Sequence, residues 1–160
     1  MKLKSLEQFI CDYCGGIIEK PEEGWLEWIT EYDKERGTYI AHGYRIVHHA
    51  MFSPRKSGNC YHYANHPGCS DMYLHQMMNM SRLLSFLDAG PYHEPDYKGP
   101  RVRDLRGFVE IVRRLTIPYY EEARLYWGRA LADGFLQGAN PVWIYLPETL
   151  KSLIERYEEE

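Results

Sequence analysis

Two cysteines stand in the run Cys11-Asp12-Tyr13-Cys14-Gly15-Gly16, and a gap of two residues lets both sulfurs reach one tetrahedral zinc ion. The glycine after the second cysteine permits the tight backbone turn that aims amides at the sulfurs. The pair supplies only half of a four-donor site. The other half must come from His48, His49, Cys60, His62, His66 or Cys69. Five histidines fall between His42 and His66, a density that no other compositional bias of the region explains. Each of them taken alone reads as a solvated or hydrogen-bonded side chain. Only their clustering near cysteines argues for a metal. The competing redox chemistry of a two-residue-gap dithiol needs a βαβ setting with the first cysteine opening a helix. No helical pattern follows Cys14, and the bland alternative is a pair of inert thiols.

The Cys11–Cys14 segment resembles the zinc knuckle of zinc-ribbon and treble-clef proteins. That resemblance covers the knuckle alone and implies a structural metal clip rather than an activity. Spacing favours His66 and Cys69 as the second pair, because they repeat the two-residue gap just before an expected helix. Position favours His49 and Cys60: His48-His49 ends a strand expected beside the knuckle, and Cys60 follows a loop long enough to return. The expected metal set is Cys11, Cys14, His49 and Cys60, with His66 and Cys69 as the alternatives. The stretches Cys-Asp-Tyr-Cys-Gly, Ile-Val-His-His and Ser-Pro-Arg also resemble a group of small bacterial proteins, which implies no activity.

The order His48-His49, Asn65, His75 loosely resembles that of HNH nucleases. The resemblance implies metal-assisted phosphodiester hydrolysis, with one histidine activating water and a divalent ion stabilising the leaving oxygen. The family's second two-residue-gap cysteine pair is missing unless His66 and Cys69 replace it, and the net charge of -4 disfavours a polyanionic substrate. A nucleic-acid interface could alternatively use Arg101, Arg103, Arg106, Arg113 and Arg114 with nearby tyrosines. Asp104 and Glu110 interleave with them, as on an ordinary solvated helix face. No Gly-x-Ser-x-Gly elbow, phosphate-binding glycine loop or His-Glu-x-x-His helix occurs, so the sequence supports no particular enzyme. Glu121-Glu122 are expected on an exposed helix turn, where solvation explains them.

The elements that must position these groups fall into two regimes. With 160 residues, 44% hydrophobic and 26% charged, the chain suits one domain, residues 1–160, with a β-rich half (1–69) and a helical half (70–160). The fold class is α+β: an amino-terminal antiparallel β-meander from Phe9 to about His49, clipped by zinc and packed against a mainly helical remainder. Gly24–Asp33 and Thr38–Val47 form a hairpin across residues 33–37, with Tyr44, Ile46 and His48 on one face and Arg45, Val47 and His49 on the other. Phe52 to Cys69 is loop. Ser70-Asp71 opens a helix carrying Tyr73, Met77, Met80, Leu84 and Leu87, closed by Gly90-Pro91 and followed by a linker to Gly99-Pro100. Phe108, Ile111, Val112 and Leu115 mark the next helix. Pro118 starts another, bearing Ala123, Tyr126, Trp127, Ala130 and Leu131 and running out near Gly134 and Gly138, and Pro147 opens the last, with Leu150, Leu153, Ile154 and Tyr157 inward.

Short apolar runs exclude a membrane span, and Glu7 and Gln8 interrupt any signal-peptide core. The cysteines are then expected in a reducing, cytoplasmic setting where metal binding prevails over disulfides. The functional expectation is a small intracellular binding or regulatory module with structural zinc as its cofactor; the sequence names no partner and leaves both a protein and a nucleic acid open.

Overall fold

The structure is a computed structural model that describes residues 2–54, 59–87 and 101–158. Its longest elements are the two strands that the alternating pattern predicts. Strand β3 (Gly24–Asp33) pairs antiparallel with β4 (Thr38–His48). Asp33 closes the hairpin: its backbone carbonyl accepts the Gly37 N–H, its carboxylate accepts the N–H groups of Glu35 and Arg36, and Gly37 takes the left-handed conformation.

Between Glu27↔Arg45 and Ile29↔His42 the register shifts, because β4 spends one residue more than β3. Gly43 lies in this bulge with φ 69°, and a Cβ there would approach the Tyr63 hydroxyl at 2.8 Å. Gly43→Ala is therefore expected to lower stability by about 1–2 kcal/mol from the left-handed backbone alone. A urea-unfolding midpoint equal to that of the parent would contradict this.

Upstream, β1 (Phe9–Ile10) and β2 (Ile17–Ile18) form a two-stranded ladder of their own, with the knuckle as its turn. The sheet's third strand is not foreshadowed by the local pattern. Residues expected to open a helix at Ser70-Asp71 instead form β5 (Cys69–Tyr73), antiparallel on the other side of β3, giving the order β4-β3-β5. The open edge of β3 offers a row of backbone donors and acceptors, and pairing with it outweighs the capping tendency of serine and aspartate.

Helix α1 (Leu74–Met77) follows, then α2 (Met80–Leu84), whose cap is the Asn79 side chain accepting the Ser81 N–H. The expected continuous stripe is thus cut in two. Leu74, Met77 and Leu83 are buried, while Met80 and Leu84 face outward. Gly90-Pro91 and Gly99-Pro100 lie outside the described residues.

Helix α3 (Leu105–Thr116), capped by Asp104, buries Phe108, Ile111 and Leu115 as expected. Pro118 does not start the next helix. Tyr119 adopts φ 66° and α4 (Tyr120–Ala123) begins after it. A 3-10 turn at Arg124–Tyr126 joins α4 to α5 (Trp127–Ala132), and Gly134, with φ 69°, stands just beyond the end of α5. Helix α6 (Pro147–Tyr157) opens on its proline and buries Leu150, Leu153, Ile154 and Tyr157.

The architecture is α+β, with antiparallel sheets in the amino-terminal half and helices in the carboxy-terminal half. One apolar cluster joins the sheet to α1, α2 and α3 through Leu26, Ile46, Leu74, Met77, Leu83 and Phe108. A second gathers Tyr120, Ala123, Ala130, Leu150 and Leu153 among α4, α5 and α6. Among the described residues no helix is long and apolar enough to cross a membrane.

Candidate metal centre

The turn between β1 and β2 carries Cys11 and Cys14. Gly15, at φ 72°, returns its N–H to the Cys11 carbonyl at 2.9 Å, and the Gly16 N–H points at Cys14 Sγ at 3.4 Å. The Gly16 amide toward sulfur is the feature that the glycine after Cys14 predicts. The last residue of β4, His48, meets them: its Nδ1 lies 3.5 Å from Cys14 Sγ. Cys60 arrives from the loop after the hairpin. Donor atoms of Cys11, Cys14, His48 and Cys60 all lie within 4.8 Å of one another, a group that could hold a metal ion. A zinc ion bound by sulfur at about 2.3 Å and nitrogen at about 2.0 Å sets its donors about 3.5–4 Å apart, so small contractions close the set. Cys11, His48 and Cys60 are buried, and Cys14 forms the exposed rim.

The expected histidine was His49, and the cluster contains His48 instead. Strand alternation sends His48 to the face shared with Ile46 and Leu26 and sends the next residue away. His49 lies between the rings of Trp25 and Tyr73, with ring centroids at 4.2 and 5.2 Å, and its Nδ1 accepts the Met51 N–H. Its neighbour is held for a different task. His48 Nε2 is 3.1 Å from the Ile17 carbonyl. A carbonyl only accepts, so Nε2 carries the proton and the Nδ1 lone pair is left facing the sulfurs, the arrangement a metal-binding imidazole requires.

The position of Cys60 depends on a buried carboxylate. Glu27, fully buried on β3, accepts the N–H groups of His62 at 3.0 Å and Tyr63 at 3.3 Å, which pins the loop just after Cys60. Burial pushes the Glu27 carboxyl up, and those two N–H groups oppose the shift. Ser53 Oγ lies 3.2 Å from Cys60 Sγ. Burial raises the Cys11 thiol and pushes the Cys60 thiol up to about 12. Both sulfurs therefore hold protons at neutral pH until a cation displaces them.

The knuckle is tied to the helices by charge. Asp12, between the two cysteines, accepts the Ile46 N–H at 2.7 Å and both hydrogen bonds of Arg114 Nη1, at 2.7 and 2.9 Å. Arg114 is buried on α3. Its Nε and Nη2 donate to Glu121 of α4 at 2.7 and 2.8 Å, and Nη2 also reaches the Ile10 carbonyl. Glu121 in turn accepts the Ile10 N–H and pairs with Arg124. Glu121 and Glu122, expected on an exposed turn, are both buried, and Glu122 accepts the Leu3 N–H. Exposure was the natural expectation for two adjacent carboxylates on a helix. Their partners lie more than 100 residues away in sequence for Ile10 and Leu3, beyond any local pattern.

Burial alone would push the Glu121 carboxyl up, but Arg114 and Arg124 outweigh it and hold it below the usual carboxylate range. A depressed folded-state value stabilises the native protein above the unfolded-state pKa of about 4.3 and forfeits that contribution as pH falls through the folded value. Urea midpoints measured from pH 5 downward should fall with acid, and fall less steeply in Glu121→Gln. Equal slopes for the two proteins would contradict the pairing.

His66 and Cys69 do not join the cluster. His66 is exposed and accepts the Gly68 N–H, and Cys69 opens β5 opposite Ile29. His75 is exposed on α1, its ring against Tyr73, so the HNH-like order is not assembled around the cysteines. Of the arginine segment, Arg114 is consumed internally, Arg103 pairs with Glu31, and Arg113 lies over the Tyr145 ring at 4.1 Å. No protein-family model matches the chain, and comparison with curated proteins and with solved structures finds no match.

Proposed function

We propose that the chain binds one zinc ion through Cys11, Cys14, His48 and Cys60, and that this zinc is structural. The observation that carries the reading is the convergence of four protein donors on one point, with the fourth donor's tautomer set by the Ile17 carbonyl. Three thiolates and an imidazole are a closed structural zinc set, whereas a catalytic zinc keeps a position for water or substrate. The ion would join three segments remote in sequence: the β1–β2 turn, the end of β4 and the loop that Glu27 anchors. That role suits a small cytoplasmic module that acts by binding or regulation rather than by catalysis. All four cysteines are free, as a reducing compartment would keep them.

Elemental analysis of protein purified under reducing conditions tests the reading. One zinc per chain is expected, lost in Cys11→Ser, His48→Ala and Cys60→Ser and retained in His49→Ala and Cys69→Ser. Absence of metal from the parent protein, or its loss with His49 and survival without His48, would overturn it.

A further inference from the structure

A cavity of about 300 Å³ opens on the helix-facing side of the sheet, lined by Trp28, Thr30, Ser70, Met72, Arg82 and Arg101, among others. That volume is at the lower end of the range for small-molecule sites, about 300–1,000 Å³. Trp28 and Thr30 of β3 and Ser70 and Met72 of β5 project from one face of the pleat, as their register Trp28↔Ser70 and Leu26↔Met72 requires. Phe86, after α2, closes one wall edge-on to Trp28, with ring centroids at 5.1 Å.

Among the described residues the charged lining of the cavity has one sign: two arginines and no carboxylate, in a chain whose net charge is -4. Among the described residues Arg82 has only the Met72 thioether as a side-chain acceptor, at 3.0 Å, and sulfur is a weak acceptor. The hydroxyls add a neutral donor. Trp28 Nε1 donates to Thr30 Oγ1, and Thr30 Oγ1 is 3.0 Å from Ser70 Oγ. Two hydroxyl protons serve one bond between the pair, so one proton is left for a further acceptor.

We propose that this cavity binds a small organic carboxylate with a flat apolar body. The planar part stacks among Trp28, Phe86 and Met72. The carboxylate takes hydrogen bonds from the guanidinium groups of Arg82 and Arg101, whose fork geometry matches it, and from the hydroxyl pair. None of the four metal donors lines the cavity, so the proposal stands or falls separately from the zinc.

The test uses cinnamate as probe and its neutral isostere cinnamamide as control, titrated calorimetrically into the full-length, metal-loaded chain. Saturable binding of one cinnamate per chain is expected, about tenfold or more tighter than cinnamamide. Arg82→Gln and Arg101→Gln should each weaken cinnamate by about tenfold and leave the amide unchanged, with thermal melts confirming that both variants fold. Should either variant fail to fold, the parent's preference for cinnamate over the amide decides the matter. No saturable binding, equal affinity for the two probes, or affinity indifferent to both arginines in folded variants would overturn the proposal.

Discussion

Arg114→Ala is expected to destabilise the protein by about 3–5 kcal/mol, the largest effect of any single substitution outside the metal donors. The truncation leaves two acidic groups with Arg124 alone as their shared cation. Glu121 is buried at 4% exposure and loses two hydrogen bonds, while Asp12 loses two more inside the knuckle. Arg124 remains beside Glu121, but stripping a buried carboxylate of its buried cation and two hydrogen bonds is what makes such a deletion severe, whatever the net worth of the intact pair. Two controls follow from this. Arg114→Lys keeps the charge but cannot serve Asp12, Glu121 and the Ile10 carbonyl together, so it should recover only part of the loss. Glu121→Gln combined with Arg114→Met removes charges on both sides of the contact and should cost less than the sum of the two single changes. Additive losses in that cycle, read from urea midpoints, would mean that the two residues do not act as one unit.

Removing the metal should have a comparable effect, and one that reaches distant elements. An ion that binds only the folded chain stabilises it by about 4 kcal/mol when its free concentration is about 1,000 times its dissociation constant. Chelation is accordingly expected to lower the melting temperature by well over the shift that Gly43→Ala produces, and added zinc should restore it. Hydrogen exchange would show where the stability resides. Amides that the knuckle closes on itself, Cys11 to Gly16 and Gly15 to Cys11, should lose protection first. The Asp12–Ile46 and Asp12–Arg114 bonds lie next in line, because Asp12 sits between two of the donors. His49→Ala should melt with unchanged zinc dependence, whereas His48→Ala should no longer respond to zinc. A melting temperature indifferent to zinc in the parent chain would separate whatever metal the protein carries from the stability of its fold.

The contrast between His48 and His49 shows how far local pattern reaches. Alternation along Thr38–Val47 already places the two histidines on opposite faces, and the structure keeps them there. Which face meets the knuckle is a different kind of information. It depends on how the β1–β2 ladder lies against β4, and Asp12, paired to Ile46 in both directions, settles that placement. Adjacent residues were chemically equal candidates until that contact existed.

Residue pattern by itself determined what depends on near neighbours. The hairpin follows from alternation and from the Asp33–Gly37 turn, α3 from its apolar spacing, α6 from its spacing and its opening proline, and the knuckle from two cysteines and a following glycine. Each is decided by backbone geometry within about one turn or one strand pair. Tertiary structure decided everything that required two distant segments to meet. An open edge on β3 made a strand of Cys69–Tyr73, although Ser70-Asp71 read locally as a helix cap. Burial turned Glu121 and Glu122 from solvated charges into partners of Arg114 and of the amino-terminal backbone. Cys60 reached the knuckle because Glu27, on another strand, holds the loop behind it. Local propensity is a matter of tenths of a kilocalorie per residue, while leaving a buried charge unpaired costs several; at each of these places the long-range contact prevailed over the local preference.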